Sequence, residues 1–221
     1  MSRVGVLALQ GDVPEHQRAL QAFLPEHDVR LVRSVTDLEA IDALFLPGGE
    51  STAIARLLES TGLWAGLQRR LSEGLPILAT CAGLILLSRT LEPSPSGHDP
   101  RTLGILDIQV RRNDYGSQRK SFEAPVRVDG LGKVPFPGVF IRAPRILGVG
   151  PGAQAFAFRG EEVVGVRHGP VWGLTFHPEL SGDPRLHRGF LDAVVGQSTE
   201  KPHSRSTARA ARRTPTRNAH R

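Results

Sequence analysis

The chain has 221 residues, of which 39% are hydrophobic and 23% are charged. This composition is typical of one globular domain with a sizeable core. The single cysteine excludes an internal disulfide and fits a reducing compartment. No apolar run approaches the ~20 residues that cross a bilayer, and the first run, residues 4–9, is too short for a signal peptide. We therefore expect a cytoplasmic protein without a membrane span.

The formal net charge of +6 comes from the C-terminal end of the sequence. Seven of the 28 basic residues but only one of the 22 acidic residues lie beyond residue 197, so the rest of the chain holds 21 of each. We predict a folded domain over residues 1–197 and a basic, disordered tail over residues 198–221, because the tail has little apolar surface to offset its ordering entropy. The neutral charge of the domain gives no support to a nucleic-acid partner.

The first half of the chain alternates predicted strands and helices. Apolar runs predict buried strands at residues 4–9, 28–32, 41–46 and directly before Cys81. Apolar residues at helical spacing predict helices over residues 14–23, after a Ser51 or Thr52 cap, over residues 63–71, and after Cys81. This alternation predicts an α/β fold, in which a mostly parallel sheet is covered by helices on both faces.

The pattern changes after residue 89. Short β-like runs alternate there with turn residues, and they occupy residues 104–110, 124–128, 138–141, 154–158 and 163–166. We expect a set of short, mostly antiparallel strands packed on the parallel sheet. Residues 171–176 again resemble a core strand, and a last amphipathic helix follows Asp183 and Pro184.

Cys81 lies between a short apolar run and an apolar helical stripe. A side chain at such a strand-to-helix turn projects from the carboxyl edge of the sheet, and the small residues Ala82 and Gly83 allow the bend. Free N–H groups and the positive end of the helix dipole stabilise a thiolate at this position. Cys81 is therefore a candidate nucleophile, and a small buried core residue is the alternative.

His177, Pro178 and Glu179 directly follow the last predicted strand. Residues i and i+2 of extended chain face the same side, so the imidazole and the carboxylate can lie next to each other. A carboxylate on one imidazole nitrogen leaves the other nitrogen free as a base, and Cys81 is the candidate nucleophile for such a pair. The alternative is a surface His–Glu pair in a turn that contains proline.

The segment Pro-Gly-Gly-Glu-Ser-Thr at residues 47–52 follows a third predicted strand. Its two glycines permit positive φ and a close approach of the backbone to a ligand. A free amide in this segment, together with the amide of Ala82, can form an oxyanion hole. An ordinary strand-to-helix turn is the alternative.

Two arginines stand in unusual places. Arg112 follows a predicted strand, and Arg142 interrupts a β-like run. The guanidinium fork suits the carboxylate of an amino-acid substrate, although a solvated edge-strand arginine is the simpler interpretation of each. Five further histidines lack the spacing of metal ligands, and we interpret them as structural or surface residues: His16, His27, His98, His168 and His187. We predict no metal site.

Taken together, these motifs resemble those of the class I, triad-type glutamine amidotransferases, and within that class the glutaminase subunits of pyridoxal 5′-phosphate synthases. The resemblance covers residues 4–195 and rests on six segments in the same order: Leu7-Ala8-Leu9-Gln10-Gly11 with Glu15-His16, Leu46-Pro47-Gly48-Gly49-Glu50-Ser51-Thr52, Thr80-Cys81-Ala82-Gly83-Leu84-Ile85, Arg112-Asn113 with Ser121-Phe122-Glu123, Gly138-Val139-Phe140-Ile141-Arg142-Ala143-Pro144, and Phe176-His177-Pro178-Glu179-Leu180. The second and fifth segments are the ones that point to this subunit family.

The resemblance implies that Cys81 is the nucleophile, His177 the base and Glu179 the residue that orients it. It also implies a set of glutamine-binding residues, which are Gly49, Glu50, Ser51, Arg112, Ile141 and Arg142. We expect the amides of Gly49 and Ala82 to form the oxyanion hole. The implied function is hydrolysis of glutamine to glutamate and ammonia, without a cofactor on this chain. The ammonia would pass to a (β/α)₈ synthase partner, in a hetero-oligomeric complex that makes pyridoxal 5′-phosphate (vitamin B6).

Three features depart from the family pattern. Ala79 stands where many triad glutaminases have glycine, Tyr115 and Ser117 stand where Phe and Arg are expected, and the basic tail is outside the pattern. Two other functions stay open at this point. One is the glutaminase of another ammonia-using synthase, such as one that makes imidazole glycerol phosphate. The other is a catalytically idle binding subunit that regulates a partner.

Overall fold

The computed structural model describes residues 3–95, 97–112 and 121–195. Its strands are β1 (Val4–Leu7), β2 (Val29–Val32), β3 (Ala43–Leu46), β4 (Ile77–Thr80), β5 (Ser88–Leu91), β6 (Leu106–Arg111), β7 (Ser121–Val128), β8 (Phe136–Ile141), β9 (Arg145–Val149), β10 (Gln154–Arg159), β11 (Glu162–His168) and β12 (Val171–Leu174). Its α-helices are α1 (Val13–Gln21), α2 (Val35–Glu39), α3 (Ser51–Ser60), α4 (Leu63–Ser72), α5 (Ala82–Leu87) and α6 (Arg185–Val195). Two short 3₁₀ turns occupy Glu26–Asp28 and Pro178–Leu180. The predicted tail over residues 198–221 lies outside the described residues.

The central sheet has nine strands in the order β2-β1-β3-β4-β12-β11-β10-β7-β8. All neighbours from β2 to β12 are parallel, and all neighbours from β12 to β8 are antiparallel. The predicted α/β fold, a parallel sheet with added antiparallel strands, is confirmed. Four of the antiparallel strands extend the edge of the parallel sheet instead of packing on its face, because β11 pairs with β12 along residues 165–168.

Strand β4 shows how the sheet separates two apolar cores. All four of its side chains are buried, as expected for a strand covered on both faces. Because successive side chains point in opposite directions, Ile77 and Ala79 pack in the cluster that includes α3, α4 and α5. Leu78 packs in the other cluster, which includes Leu20 of α1 and Phe190 of α6. Helices therefore cover both faces of the parallel half.

A separate three-stranded sheet has the order β5-β6-β9. Leu106, Ile108 and Val110 of β6 belong to the same apolar cluster as Leu84 and Leu86 of α5, so this sheet lies over the α5 side of the molecule. The strands β5 and β9 were not predicted. Each has several exposed or half-exposed positions, and neither gives the apolar run or the alternation that marks a strand in sequence.

Two helix starts differ from the prediction. The short helix α2 was not predicted, and a capping box begins it: the Ser34 hydroxyl accepts from the Asp37 amide at 3.2 Å, and the Asp37 carboxylate accepts from the Ser34 amide at 2.9 Å. The predicted Ser51 or Thr52 cap of α3 is wrong. Glu50 is the cap, and its carboxylate accepts from the amides of Thr52 at 3.0 Å and Ala53 at 2.6 Å.

None of the helices in the described part of the chain combines the length and the apolar character that a bilayer crossing requires.

Candidate active site

Cys81 sits at a sharp turn between β4 and α5. Its backbone has φ 46° and ψ −101°, a strained conformation for a residue other than glycine, and its amide donates to the Leu174 carbonyl at 2.9 Å. The helix can start this close to the sheet only because residue 83 is glycine, since a Cβ there would lie 2.4 Å from the Leu46 carbonyl oxygen. The buried methyl of Ala79 fits below the turn, next to Gly83. The thiol is thus held at the carboxyl edge of the sheet, 3.9 Å from the Ile141 carbonyl.

His177 and Glu179 follow β12 at the same edge of the sheet. Glu179 Oε1 lies 2.8 Å from Nδ1 of His177, and both side chains are buried. Nε2 of His177 is also buried, and within the described residues it has no hydrogen-bond partner. The carboxylate therefore occupies one ring nitrogen, and the other nitrogen is free for the reacting groups.

Asp12 contacts the same imidazole and was missed in the sequence. Its Oδ2 lies 3.2 Å from Nδ1 of His177. Asp12 follows β1, and its amide donates to the Gly48 carbonyl at 3.2 Å, which ties the loop after β1 to the loop after β3. A sequence signal was present, because Asp12 comes just after a predicted parallel strand, as Cys81 and His177 do.

The charges around His177 favour its imidazolium form. Burial lowers the pKa of His177, but its interactions with the neighbouring Asp12, Cys81 and Glu179 outweigh burial and raise that pKa to about 12. Burial raises the pKa of Glu179, against the opposing effect of the hydrogen bond to His177. His177 is therefore placed to hold a proton beside the thiol and to release it to a leaving group.

The loop after β3 approaches the thiol through backbone that only glycine fits. Gly49 has φ 151°, and a Cβ there would lie 2.5 Å from Oε1 of Gln10. That same Oε1 accepts from the Glu50 amide at 2.8 Å and fixes the loop. Gln10, like Asp12, was not predicted as a site residue, although both lie in segments that carry the family resemblance or adjoin them. Ala82, the first residue of α5, offers its amide at the start of the helix.

The predicted substrate-binding residues surround one cavity of about 360 Å³. Its lining residues are Asp12, Gly49, Glu50, Ser51, Cys81, Ile85, Arg112, Ile141, Arg142 and His177. Another cavity, of about 410 Å³, lies beside Gln154 and Trp172, and no thiol or carboxylate side chain lines it. Of the two cavities, the smaller one therefore holds the reactive groups.

Two of the lining residues, Arg112 and Arg142, bring positive charge to this cavity. Arg112 is mostly buried and lies 3.1 Å from Asp99 Oδ1 and 3.6 Å from Glu50 Oε1. Arg142 directly follows β8 and has φ 44°, so this residue of the cavity wall has a strained backbone conformation. The predicted departures at Tyr115 and Ser117, and the motif residue Asn113, lie outside the described residues.

Asp12, His177 and Glu179 offer oxygen and nitrogen atoms within 4.8 Å of one another, which is close enough for a metal ion. Nδ1 of His177 is, however, at hydrogen-bond distance from both carboxylates. The three side chains are therefore accounted for as a histidine held between two carboxylates.

The histidines interpreted as structural or surface residues divide into two groups. His27, His98 and His168 are exposed. His16 and His187 are fully buried, next to each other and behind Glu179.

Comparison with known proteins places this geometry in a family. The SNO glutamine amidotransferase family matches residues 6–196. A pyridoxal 5′-phosphate synthase subunit PdxT from Thermococcus onnurineus is 47% identical over 196 residues, which cover 86% of this chain and 98% of that protein. The PdxT subunit from Clavibacter michiganensis subsp. michiganensis is 49% identical over 192 residues, which cover 86% of this chain and 90% of that protein.

A solved crystal structure described as a glutamine amidotransferase aligns with a TM-score of 0.80 and 44% identity, over 87% of this chain and 99% of that chain. The matches span the parallel sheet, the cysteine turn and the histidine segment together. This chain belongs to the SNO glutamine amidotransferase family.

Proposed function

We propose that this chain is the glutaminase subunit of a pyridoxal 5′-phosphate synthase. In this function it hydrolyses glutamine to glutamate and ammonia, and the ammonia passes to a synthase subunit. The observation that carries the proposal is the cavity that joins Cys81, His177 and the loop at Gly49. The names of the two relatives at 47% and 49% identity support the choice of synthase.

In the first step, the Cys81 thiolate attacks the carboxamide carbon of glutamine. The carbonyl oxygen becomes an oxyanion, for which the amides of Gly49 and Ala82 are the proposed donors. His177 gives its proton to the amide nitrogen as the carbon–nitrogen bond breaks, so ammonia leaves and a glutamyl thioester forms on Cys81. An imidazolium suits this step, because a neutral ammonia is a far better leaving group than an amide anion.

In the second step, neutral His177 takes a proton from water. The hydroxide equivalent attacks the thioester carbon, glutamate leaves, and Cys81 returns as a thiolate beside a protonated His177. Glu179 keeps its proposed role as the orienting carboxylate on Nδ1. Every proton in this cycle moves between side chains, substrate and water, so no cofactor is required.

The charges that line the cavity suit a zwitterionic amino acid. Arg112 offers donors to the α-carboxylate of glutamine, and the Glu50 carboxylate has lone pairs left for its α-ammonium after capping α3. We assign further contacts with the substrate to Gly49, Ser51, Ile141 and Arg142. Glutamine bound this way presents its side-chain amide to Cys81.

The partner is proposed to be the (β/α)₈ synthase subunit, in a hetero-oligomeric complex. The test is ammonia release from glutamine, measured with this chain and the synthase subunit together. We expect release by the wild type and none by Cys81→Ala, which removes the nucleophile at a cost of about 1 kcal/mol in stability. Turnover by a folded Cys81→Ala protein, or none by the wild type with its partner, would contradict the proposal.

A further inference from the structure

A chain of buried polar side chains continues behind Glu179. His16 of α1, His187 of α6 and Thr80 of β4 are all fully buried. Nδ1 of His16 lies 3.1 Å from Nε2 of His187, and Nε2 of His16 lies 3.1 Å from the Thr80 hydroxyl. Nε2 of His16 also lies 3.4 Å from Oε2 of Glu179. The proposed reaction gives none of these three residues a task.

We infer that His16 is a positioning residue, whose Nε2 proton supports the outer oxygen of the Glu179 carboxylate while His177 occupies the inner one. The inference rests on the proposed function, because it assigns His16 a role in the same triad. Within the described residues, the polar contacts of His16 are with His187, Thr80 and Glu179. Of these three, Glu179 contacts the imidazole of His177, and we assign the role of His16 to this contact.

The protonation of His16 follows from its surroundings. Burial, and then the neighbouring His187 and His177, lower the pKa of His16, so its ring is neutral and carries one N–H. Burial likewise lowers the pKa of His187 to about 4. Two neutral rings joined at 3.1 Å require one donor and one acceptor between them.

One of the two possible tautomer pairs fits the contacts of the buried chain. If His187 donates from Nε2, Nδ1 of His16 is an acceptor and the proton of His16 stands on Nε2, towards Thr80 and Glu179. The atom left without a partner is then Nδ1 of His187, an unprotonated acceptor. Buried acceptors without partners are less rare in proteins than buried N–H groups without partners.

The reverse tautomer pair conflicts with two contacts. It would leave a buried N–H of His187 without a partner in the described residues. It would also turn the lone pair of Nε2 of His16 towards Oε2 of Glu179, at 3.4 Å. Two acceptors in contact repel each other, and the ionised Glu179 that the triad needs would be disfavoured.

The contact matters because Oε2 of Glu179 has no hydrogen bond within the described residues. At 3.4 Å the approach of His16 is long, and hydrogen bonds at catalytic sites often tighten only when the substrate is bound. A donor at this position favours the carboxylate over the carboxylic acid, and thereby favours the imidazolium of His177.

The first test is direct observation of the tautomers by ¹⁵N NMR of the imidazole rings. We expect neutral His16 and neutral His187, each protonated at Nε2. Protonation of His16 at Nδ1 would overturn the inference, whatever the activity of the protein is.

The second test compares variants of His16 in the glutaminase assay with the synthase subunit present. His16→Leu should lower kcat about tenfold or more, the size expected of a lost hydrogen bond to a charged group, and change KM for glutamine less than about twofold. His16→Gln keeps an N–H donor and should retain activity within about threefold of the wild type. Ser88→Ala is the matched control, because it removes another fully buried side-chain hydrogen bond, to the Ile85 carbonyl, and should leave kcat unchanged.

A double-mutant cycle separates a positioning role from a structural one. In a Glu179→Gln background, His16→Leu should cost less than about twofold in kcat, because the residue through which it acts is already neutral. An equal loss in both backgrounds would overturn the inference. If the wild type itself releases no ammonia, the proposed function fails instead, and the NMR result still decides the tautomers.

The pH profile gives a further readout. The titratable groups facing His16 are His187 of α6 together with His177 and Glu179 at the end of β12. Loss of the His16 donor raises the pKa of Glu179 and lowers the pKa of His177. The pH range over which His16→Leu keeps a high kcat should therefore become narrower at both its acidic and its basic end. An unchanged pH profile would count against the role of His16.

Discussion

At the scale of single residues, the site gives one imidazole two carboxylates. Glu179 lies 2.8 Å and Asp12 lies 3.2 Å from Nδ1 of His177. Together with the neighbouring Cys81, they explain why the pKa of His177 is raised although the ring is buried and burial lowers that pKa. The two carboxylates come from opposite ends of the domain sequence, after β1 and after β12, and only the parallel sheet brings them together.

The arrangement predicts unequal effects for substitutions at two residues of the proposed triad. His177→Asn removes the imidazole that moves protons in the proposed reaction and should lower kcat by about 10²–10⁴-fold. Glu179→Gln should cost less, because Asp12 still supplies a carboxylate to Nδ1. Steady-state ammonia release in the presence of the synthase subunit measures the kcat of both variants. Wild-type rates for both would show that His177 and Glu179 only form a turn and take no part in the reaction.

The backup role of Asp12 has its own test. Asp12→Asn alone should have a small effect on kcat, whereas Asp12→Asn combined with Glu179→Gln should cost more than the product of the two single effects. If the fold loss in kcat of the double variant equals the product of the two single losses, Asp12 does not replace Glu179.

At the scale of elements, the loop after β3 packs directly against His177. A Cβ at Gly48 would lie 2.5 Å from Cε1 of His177 and 2.8 Å from Oδ2 of Asp12. The backbone at Gly48 therefore packs closely against the imidazole and limits its movement.

Gly48→Ala should therefore displace His177 and lower kcat by at least tenfold, while most of the free energy of unfolding is kept. Gly148→Ala is the matched control, because nothing lies within 4 Å of its added methyl and its φ is not positive. Ammonia release and thermal unfolding of both variants check the prediction. Equal activities in the two variants would mean that the loop does not set the position of His177.

The elements also show what a sequence can predict. Buried strands such as β4 are continuous apolar runs, so their order and the position of Cys81 after one of them could be predicted. The helix α2 has only five residues and depends on the Ser34–Asp37 capping box, and β5 and β9 are too exposed to give a pattern. The contact of Asp12 with His177 depends on the pairing of distant strands, which local spacing does not contain.

At the scale of the whole molecule, the described domain and the C-terminal segment have different charge. The excess of basic residues lies beyond residue 197, whereas every residue of the candidate site lies before it. The match to the family likewise ends at residue 196. We therefore expect residues 198–221 to be dispensable for glutaminase activity.

Deletion of residues 198–221 should leave the stability of the domain and its glutaminase activity with the synthase subunit unchanged. The measurement compares partner affinity of the full chain and the truncated chain at about 50 mM and 200 mM salt, the range over which contacts with basic residues weaken steeply. Loss of partner binding on truncation, largest at low salt, would show that the basic segment docks on an acidic surface.

The proposed reaction begins with the attack of Cys81 on the carboxamide of glutamine. The most direct measurement is mass spectrometry of the chain after reaction with an electrophilic glutamine analogue, in the presence of the synthase subunit. We predict one adduct, on Cys81, whose formation follows the loss of activity, is slowed by glutamine and is absent in Cys81→Ala. Complete loss of activity with Cys81 unmodified would contradict the account.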